Sequence, residues 1–154
     1  MQSLLAIDLG LRCGLALYGD DGRLRWYRST NFGNRGRLRR AAFPLLRAIP
    51  DLRWLAAEGD RALAAIWARA ALPVGAGLRL VPAETWRGRL LLRREQRDGR
   101  SAKASAGPLA RRVIRWSGAP APTSLRTDAA EAILIGLWAV LELGWLPALP
   151  PELT

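Results

Sequence analysis

The order of short apolar segments constrains the fold of this chain more than any other feature. Residues 3–9 form an apolar run that ends at Gly10, which is the pattern of a buried strand that stops at a turn. Residues 13–18 form a second run, and residues 23–27 alternate as a third strand after a hairpin-turn signal at residues 20–22. The start of the chain therefore predicts a three-stranded antiparallel meander.

Strand and helix patterns alternate after the meander. Residues 52–57 and 77–82 are predicted strands. Predicted helices lie at residues 35–49, 60–72, 83–92, 102–116 and 128–143. A meander followed by this alternation predicts an α/β fold. We expect a central mixed five-stranded sheet, with the antiparallel meander first and parallel strands added to it, flanked by helices.

Local signals mark several ends of these elements. Asp60 and Thr127 are the predicted N-caps of the second and last helices, because their side-chain oxygens can accept hydrogen bonds from helix N–H groups. Gly107-Pro108 predicts a kink or a restart in the fourth helix. Residues 93–100 are basic and interrupted by glycine, which predicts a mobile loop.

The chain is large enough for one packed core and shows no internal repeat. Its 154 residues, of which 50% are hydrophobic, predict one domain at residues 1–146 and a proline-containing tail at residues 147–154. The start lacks the pattern of a secretion signal, and the longest apolar stretch falls short of the roughly 20 residues that a membrane span needs. We therefore expect a cytoplasmic protein with no membrane partner.

The available residue types restrict the chemistry. The chain has no His and one Cys, Cys13, which excludes imidazole ligands, imidazole-activated nucleophiles, Cys-based zinc sites and internal disulfides. Acid–base or metal chemistry must then use carboxylates. The 24 Lys and Arg residues against 13 Asp and Glu residues give a formal net charge of +11, which favours a polyanionic partner.

Four carboxylates are predicted to converge. Asp8 lies near the end of the first strand and Glu58 near the end of the fourth, while Asp128 and Glu131 share one face of the last helix. If the first and fourth strands are neighbours, these acids meet, and their mutual repulsion requires a cation. Oxygen ligands suit Mg²⁺ or Mn²⁺, and two such ions about 4 Å apart can activate water and stabilise the leaving oxygen of a phosphodiester. Taken alone, Asp128 and Glu131 are also interpretable as acids favoured by the helix dipole.

Four segments that contain these acids form an ordered pattern across most of the chain. They are Leu4-Leu5-Ala6-Ile7-Asp8-Leu9-Gly10, Cys13-Gly14-Leu15-Ala16, Leu55-Ala56-Ala57-Glu58 and Thr127-Asp128-Ala129-Ala130-Glu131-Ala132-Ile133-Leu134-Ile135-Gly136-Leu137. In this order they resemble the RuvC family of Holliday junction resolvases, within the ribonuclease H-like superfamily.

The resemblance implies a fold, an activity and a set of site residues. It implies a ribonuclease H-like fold, a homodimer, and paired nicking of a four-way DNA junction by four acids with two Mg²⁺ ions, for which Mn²⁺ can substitute. The four acids fall on Asp8, Glu58, Asp128 and Glu131. The third acid is often His in the family and the last is usually Asp, so this chain departs from the family at both positions.

Basic residues supply the candidate DNA contacts. A cluster that could track phosphates, together with one arginine close to Asp8, comprises Arg87, Arg89, Arg93, Arg94, Arg97, Arg100, Lys103 and Arg12. Lys103 also resembles a basic residue that follows the loop in RuvC-like enzymes. Such enzymes insert an apolar or aromatic side chain at the crossover, and the resemblance makes Ile66 and Trp67 the candidate wedge. Because most of the seven Trp residues are expected in the core, burial of Trp67 is favoured over the wedge role.

Two other functions fit the same residues. A ribonuclease H-like enzyme of the YqgF kind would act on RNA, and a catalytically inactive module would bind branched DNA while the acids brace the core. The actin-like ATPase fold also begins with a segment similar to Asp-Leu-Gly. It is disfavoured because this chain lacks a second glycine-rich phosphate loop and is too short for two lobes.

Overall fold

The chain forms a mixed sheet with helices on both faces. This computed structural model describes residues 1–91 and 99–154, without the side chains of residues 99–104. Within these residues the strands are β1 (Ser3–Asp8), β2 (Arg12–Gly19), β3 (Leu24–Asn31), β4 (Leu52–Glu58) and β5 (Gly77–Leu80). The α-helices are α1 (Arg35–Arg47), α2 (Arg61–Ala71), α3 (Ala83–Leu90), α4 (Gly99–Ser117) and α5 (Thr127–Glu142).

The strand order is β3-β2-β1-β4-β5. β1 pairs antiparallel with β2, and β2 pairs antiparallel with β3, which confirms the predicted meander. β1 and β4 pair in parallel, as do β4 and β5. The predicted fold class is therefore confirmed, and the first and fourth strands are neighbours, as the convergence of the acids requires.

A separate hydrophobic core lies on each face of the sheet. In β1, Leu4 and Ala6 pack in the core that contains residues of α3, α4 and α5, whereas Leu5 and Ile7 pack in the core beneath α1 and α2. This alternation follows from the two-residue side-chain period of a strand. It explains why residues 4–7 of β1 are all apolar instead of alternating with polar residues.

α5 is the central helix of its face. Its residues from Ala129 to Leu141 are all buried, and it packs on β1 and β2 and contacts α3 and α4. A Cβ on Gly136 would overlap the ring of Tyr18. This glycine therefore allows the close approach of α5 to β2, and the Tyr18 hydroxyl donates a hydrogen bond to the carbonyl oxygen of Ile133 at 2.5 Å.

Three predicted details of the helices have different outcomes. Asp60 caps α2, as predicted, by accepting a hydrogen bond from the N–H of Leu63 at 3.0 Å. The predicted cap at Thr127 is wrong, because Thr127 is already the first helical residue and Arg126 occupies the N-cap position without a side-chain hydrogen bond. α4 starts at Gly99 and continues through Pro108 as one element, so it does not restart there.

The predicted loop at residues 93–100 lies mostly outside the described residues, which resume at Gly99 within α4. Its last two residues are helical, so the loop prediction is wrong for them. At the C-terminus, a 3-10 turn at Pro151–Leu153 contacts α4 and leaves Leu153 only 2% exposed in the core on the α5 face. In the described part of the chain, no helix has the length and apolarity to cross a membrane.

Candidate metal centre

The site is built on one row of residues that crosses four strands. Strand register pairs Ser29 with Gly14, Gly14 with Asp8, and Asp8 with Glu58. Asp8 continues the β1 row whose side chains pack toward α5, and Glu58 continues the equivalent row of β4 after Ala56. The ends of two parallel neighbouring strands therefore place both carboxylates on the α5 face.

α5 adds a third carboxylate to this row. Glu131 lies on the first turns of the helix and is only 4% exposed, the one charged residue that is buried among the described residues. Carboxylate oxygens of Asp8, Glu58 and Glu131 all lie within 4.8 Å of one another. A divalent ion bound to oxygen at about 2.1 Å spans such a set after small side-chain movements, so these three residues could hold a metal ion.

Asp128 lies near the three acids but does not belong to the group whose oxygens are within 4.8 Å of one another. It lines the same cleft as Asp8 and Glu131, and its Oδ2 accepts a hydrogen bond from the Ser29 hydroxyl at 2.9 Å. Ser29 was not singled out from the sequence, since the register that brings β3 to this row is a tertiary feature. The hydrogen bond holds the Asp128 carboxylate in the wall of the cleft.

Gly14 allows the first turn of α5 to pack closely against β2. A Cβ at this position would overlap the carbonyl oxygen of Asp128. Any larger residue would therefore push the N-terminus of α5, and with it Asp128 and Glu131, away from Asp8. Gly14 belongs to one of the four segments that carried the resemblance, and this contact is its physical role.

The electrostatics of the cluster reflect burial and crowding of like charges. Burial raises the pKa of Asp8 to about 8, and the negative charges of the neighbouring carboxylates add to the rise. Burial and the charge of Glu131 also raise the pKa of Glu58, while the positive charge of Arg87 opposes that rise. The side-chain interaction with the nearby Glu131 carboxyl adds a smaller contribution to the raised pKa of Asp8. A divalent cation would relieve this repulsion.

Two predicted DNA contacts, Arg87 and Arg89, each form an ion pair with a glutamate of α5. Arg87 of α3 lies 3.3 Å from Oε1 of Glu131, so its guanidinium faces the acid cluster. Arg89 pairs with Glu142 at 2.5 Å, eleven residues further along α5. Arg89 therefore lies near the far end of α5, away from the acids, and its assignment as a DNA contact stays a prediction.

The acids open into a cleft with a basic rim. The cleft has a volume of about 450 Å³ and is lined by Asp8, Arg12, Leu125, Arg126, Thr127, Asp128 and Glu131. Arg12 thus lies beside Asp8, as its place in the sequence suggested. Arg126 was missed, and its only sequence signal is that it directly precedes the helix that carries two of the acids.

The remaining basic candidates lie beyond what the structure describes. Arg93, Arg94 and Arg97 fall outside the described residues, as do the side chains of Arg100 and Lys103. Their assignment as DNA contacts stays a prediction.

The two wedge candidates lie on α2, on the opposite face of the sheet from the acids. Trp67 is 0% exposed and packs edge-on against Phe32 with ring centroids 6.0 Å apart. An indole buried in this way cannot enter a DNA crossover, so the wedge assignment of Trp67 is corrected. Ile66 is half-buried and lines a groove between α1 and α2.

Comparisons with known proteins connect this geometry to a fold. No family model matches the sequence, and no curated protein matches it. A solved structure of T. thermophilus RuvC in complex with Holliday junction substrate is similar, with a TM-score of 0.64 and 17% sequence identity. The similarity covers 93% of this chain and 96% of that chain. It shows the ribonuclease H-like fold that the sequence resemblance implied, with the five-stranded mixed sheet flanked by helices.

Proposed function

We propose that this protein is a Mg²⁺-dependent endonuclease that cuts four-way DNA junctions, with a role in DNA recombination or repair. The observation that carries the proposal is that carboxylate oxygens of Asp8, Glu58 and Glu131 lie within 4.8 Å of one another, while Asp128 lines the same cleft as Asp8 and Glu131. The similarity to a RuvC structure that holds Holliday junction substrate supports branched DNA as the substrate class.

The four acids have separate roles in this proposal. Asp8 would help to hold both Mg²⁺ ions, because its carboxylate lies within 4.8 Å of those of Glu58 and Glu131 and it lines the same cleft as Asp128. Two bound ions would supply a metal-activated water and would stabilise the negative charge on the leaving oxygen. Glu58 and Glu131 would be rigid ligands, because Glu58 lies at the end of strand β4 and Glu131 lies on the buried helix α5. The hydrogen bond from Ser29 would orient Asp128.

Basic residues around the cleft would hold the DNA backbone. The net charge of +11 provides long-range attraction for a polyanion. Arg12 and Arg126 line the cleft beside the acids, where they would contact phosphates that flank the cut. Predicted contacts from the segment before and within α4 remain part of the proposal: Arg93, Arg94, Arg97, Arg100 and Lys103.

Paired nicking needs two active sites on one junction, so we propose a homodimer. The exposed face of α2 is the candidate contact, since Ala62, Ala65 and Ile66 line a groove of about 440 Å³ between α1 and α2. Sedimentation equilibrium tests this, with a mass of about twice 16.9 kDa expected. A monomer that cuts each strand independently would contradict it.

The cytoplasmic location stays a prediction.

A cleavage assay tests the proposed activity. The substrates are a labelled four-way junction, a matched duplex and an RNA–DNA hybrid, each with Mg²⁺, Mn²⁺ or EDTA. We expect paired symmetric nicks in the junction alone, lost in EDTA and in Asp8→Asn. Asp21→Asn is the matched control, because Asp21 pairs with Arg25 on the surface at the opposite end of β2. Cleavage of the hybrid would reassign the protein to RNA processing, and tight junction binding without cleavage would leave only a binding module.

A further inference from the structure

Arg87 occupies an unusual position for a surface arginine. Its side chain is 19% exposed, and its partner Glu131 is 5% exposed, whereas the other ion pairs among the described residues have side chains at least 37% exposed. The guanidinium also stacks over the ring of Trp86 at 5.2 Å, and that ring is fully buried. The Arg87 head group is therefore held at the inner wall of the acid cluster.

The contacts of Arg87 are incomplete in this position. Its Nε is buried and has no hydrogen-bond partner among the described residues, and its ion pair rests on one contact of 3.3 Å to Oε1 of Glu131. A two-pronged pair with the carboxylate would have satisfied more of the donors and lain closer. The guanidinium thus lies near Glu131 without a strong two-pronged ion pair. Its stacking on the Trp86 ring is a second contact that does not depend on Glu131.

Arg87 and a metal ion would compete for the same carboxylate. Glu131 is one of the three acids whose oxygens lie within 4.8 Å of one another, and the guanidinium lies on one of its oxygens. A divalent cation and a guanidinium at one buried carboxylate repel each other strongly, because little water lies between them. Only one of the two cations can be the close partner of Glu131.

We propose that Arg87 is a displaceable counter-cation that couples metal loading to substrate binding. It neutralises Glu131 until a divalent cation takes that carboxylate, and it then turns outward on its Trp86 anchor to present its donors to a phosphate oxygen of the DNA. This inference rests on the proposed metal centre and adds a residue that acts through Glu131. Arg87 is a positioning residue, and its effect appears in metal affinity before any DNA is present.

A metal titration without DNA tests the inference. Mn²⁺ binding to the full chain at pH 8 is followed by electron paramagnetic resonance of the unbound ion, for the wild type, Arg87→Gln and Arg89→Gln. Arg89 is the matched control because it lies two residues away on α3 and pairs with Glu142, outside the cluster. We expect Arg87→Gln to bind Mn²⁺ about tenfold more tightly, since a competing charge is removed. Arg89→Gln should stay within about twofold of the wild type.

The outcomes separate the inference from the proposed function. If the wild type binds Mn²⁺ and Arg87→Gln binds it equally or more weakly, the coupling is wrong while the metal centre stands. If the wild type binds no Mn²⁺, both are overturned.

A measurement on the wild type keeps the inference testable even if Arg87→Gln does not fold. In a ¹⁵N–¹H spectrum of the arginine side chains, Mg²⁺ should shift the Nε–H signal of Arg87 and leave that of Arg89 in place. An unchanged Arg87 signal at saturating Mg²⁺ would overturn the inference.

Discussion

Two ends of the α3–α5 interface differ in burial although both hold an arginine–glutamate pair. At the site end, Arg87 and Glu131 are 19% and 5% exposed and lie beside Asp8 and Glu58. At the far end, Arg89 and Glu142 are 44% and 37% exposed, and their pair is shorter, at 2.5 Å. The shorter pair lies in water and the longer pair lies inside the cluster.

The difference shows that burial, not contact distance, decides what an ion pair can do. Exposed charges are solvated with or without their partner, so the pair of Arg89 and Glu142 contributes little to the free energy of unfolding. A buried carboxylate is destabilised in its charged form unless a cation is close, so Glu131 and Asp8, together with Glu58, could hold a divalent ion. The same two residue types therefore have a structural role at one end and a proposed chemical role at the other.

The largest expected contrast is in cleavage. Glu131→Gln should reduce junction cleavage by about 10³-fold or more, because a buried metal ligand contributes several kcal/mol to the transition state. Glu142→Gln makes the same chemical change at the far end of α5, and cleavage should stay within about twofold of the wild type. Single-turnover rates on a labelled junction check both. Equal losses of cleavage rate in Glu131→Gln and Glu142→Gln would contradict the proposed difference between the two ends of the α3–α5 interface.

Backbone packing at the site end gives the next contrast. Gly14→Ala should lower the free energy of unfolding by about 3 kcal/mol, since the new Cβ overlaps the Asp128 carbonyl oxygen and α5 cannot retreat without opening its core. Gly88→Ala, between the two arginines on α3, meets no atom within 4 Å and should stabilise the helix by about 0.5–1 kcal/mol. Urea unfolding measures both. A well-tolerated Gly14→Ala would contradict the described approach of α5.

The pH dependence of stability sharpens the comparison further. The pKa of Asp8 is about 8 in the folded protein against 3.8 in its ordinary environment, so the folded state holds a proton that the unfolded chain has released. Without metal, the unfolding free energy should therefore fall as pH rises from about 4 to about 8, by up to about 1.4 kcal/mol per pH unit. Asp8→Asn should flatten this slope, and Glu142→Gln should not. Thermal unfolding in EDTA across this range is the measurement, and equal slopes in Asp8→Asn and the wild type would contradict the shift.

The smallest effect is expected from the exposed pair itself. Arg89→Gln should lower the free energy of unfolding by less than about 1 kcal/mol, because both partners remain solvated. The change should shrink further in 1 M salt, where exposed charges are screened. A loss of several kcal/mol in urea unfolding would show that the far end is as tightly coupled as the site end.

The sequence predicted the fold class and the convergence of Asp8, Glu58 and Glu131, for physical reasons that the structure makes clear. Asp8 and Glu58 were predictable because an acid at the end of an apolar strand is costly unless it has a partner. Glu131 followed from its spacing to Asp128 and from the resemblance. The similarity to a RuvC structure confirms the fold.

What the sequence left out depends on packing between distant elements. Arg87 and Arg89 are two residues apart and of one type, so nothing local reveals that one faces the acids and the other the far end of α5. Ser29 reaches Asp128 only through the register of β3 on β2. Trp67 was a candidate wedge only through the resemblance, and its burial in the core agrees with the interpretation that the residues themselves favoured.

Direct observation of a bound ion tests the central claim, that the acids at the end of β1 and β4 and on α5 form a metal centre. A crystal soaked in Mn²⁺, with diffraction data recorded at the manganese edge, would show the ion by its anomalous signal. We predict a peak within about 2.3 Å of carboxylate oxygens of Asp8, Glu58 and Glu131, with Arg87 turned away from Glu131. No anomalous peak at these acids, with Arg87 still on Glu131 at saturating Mn²⁺, would contradict the account.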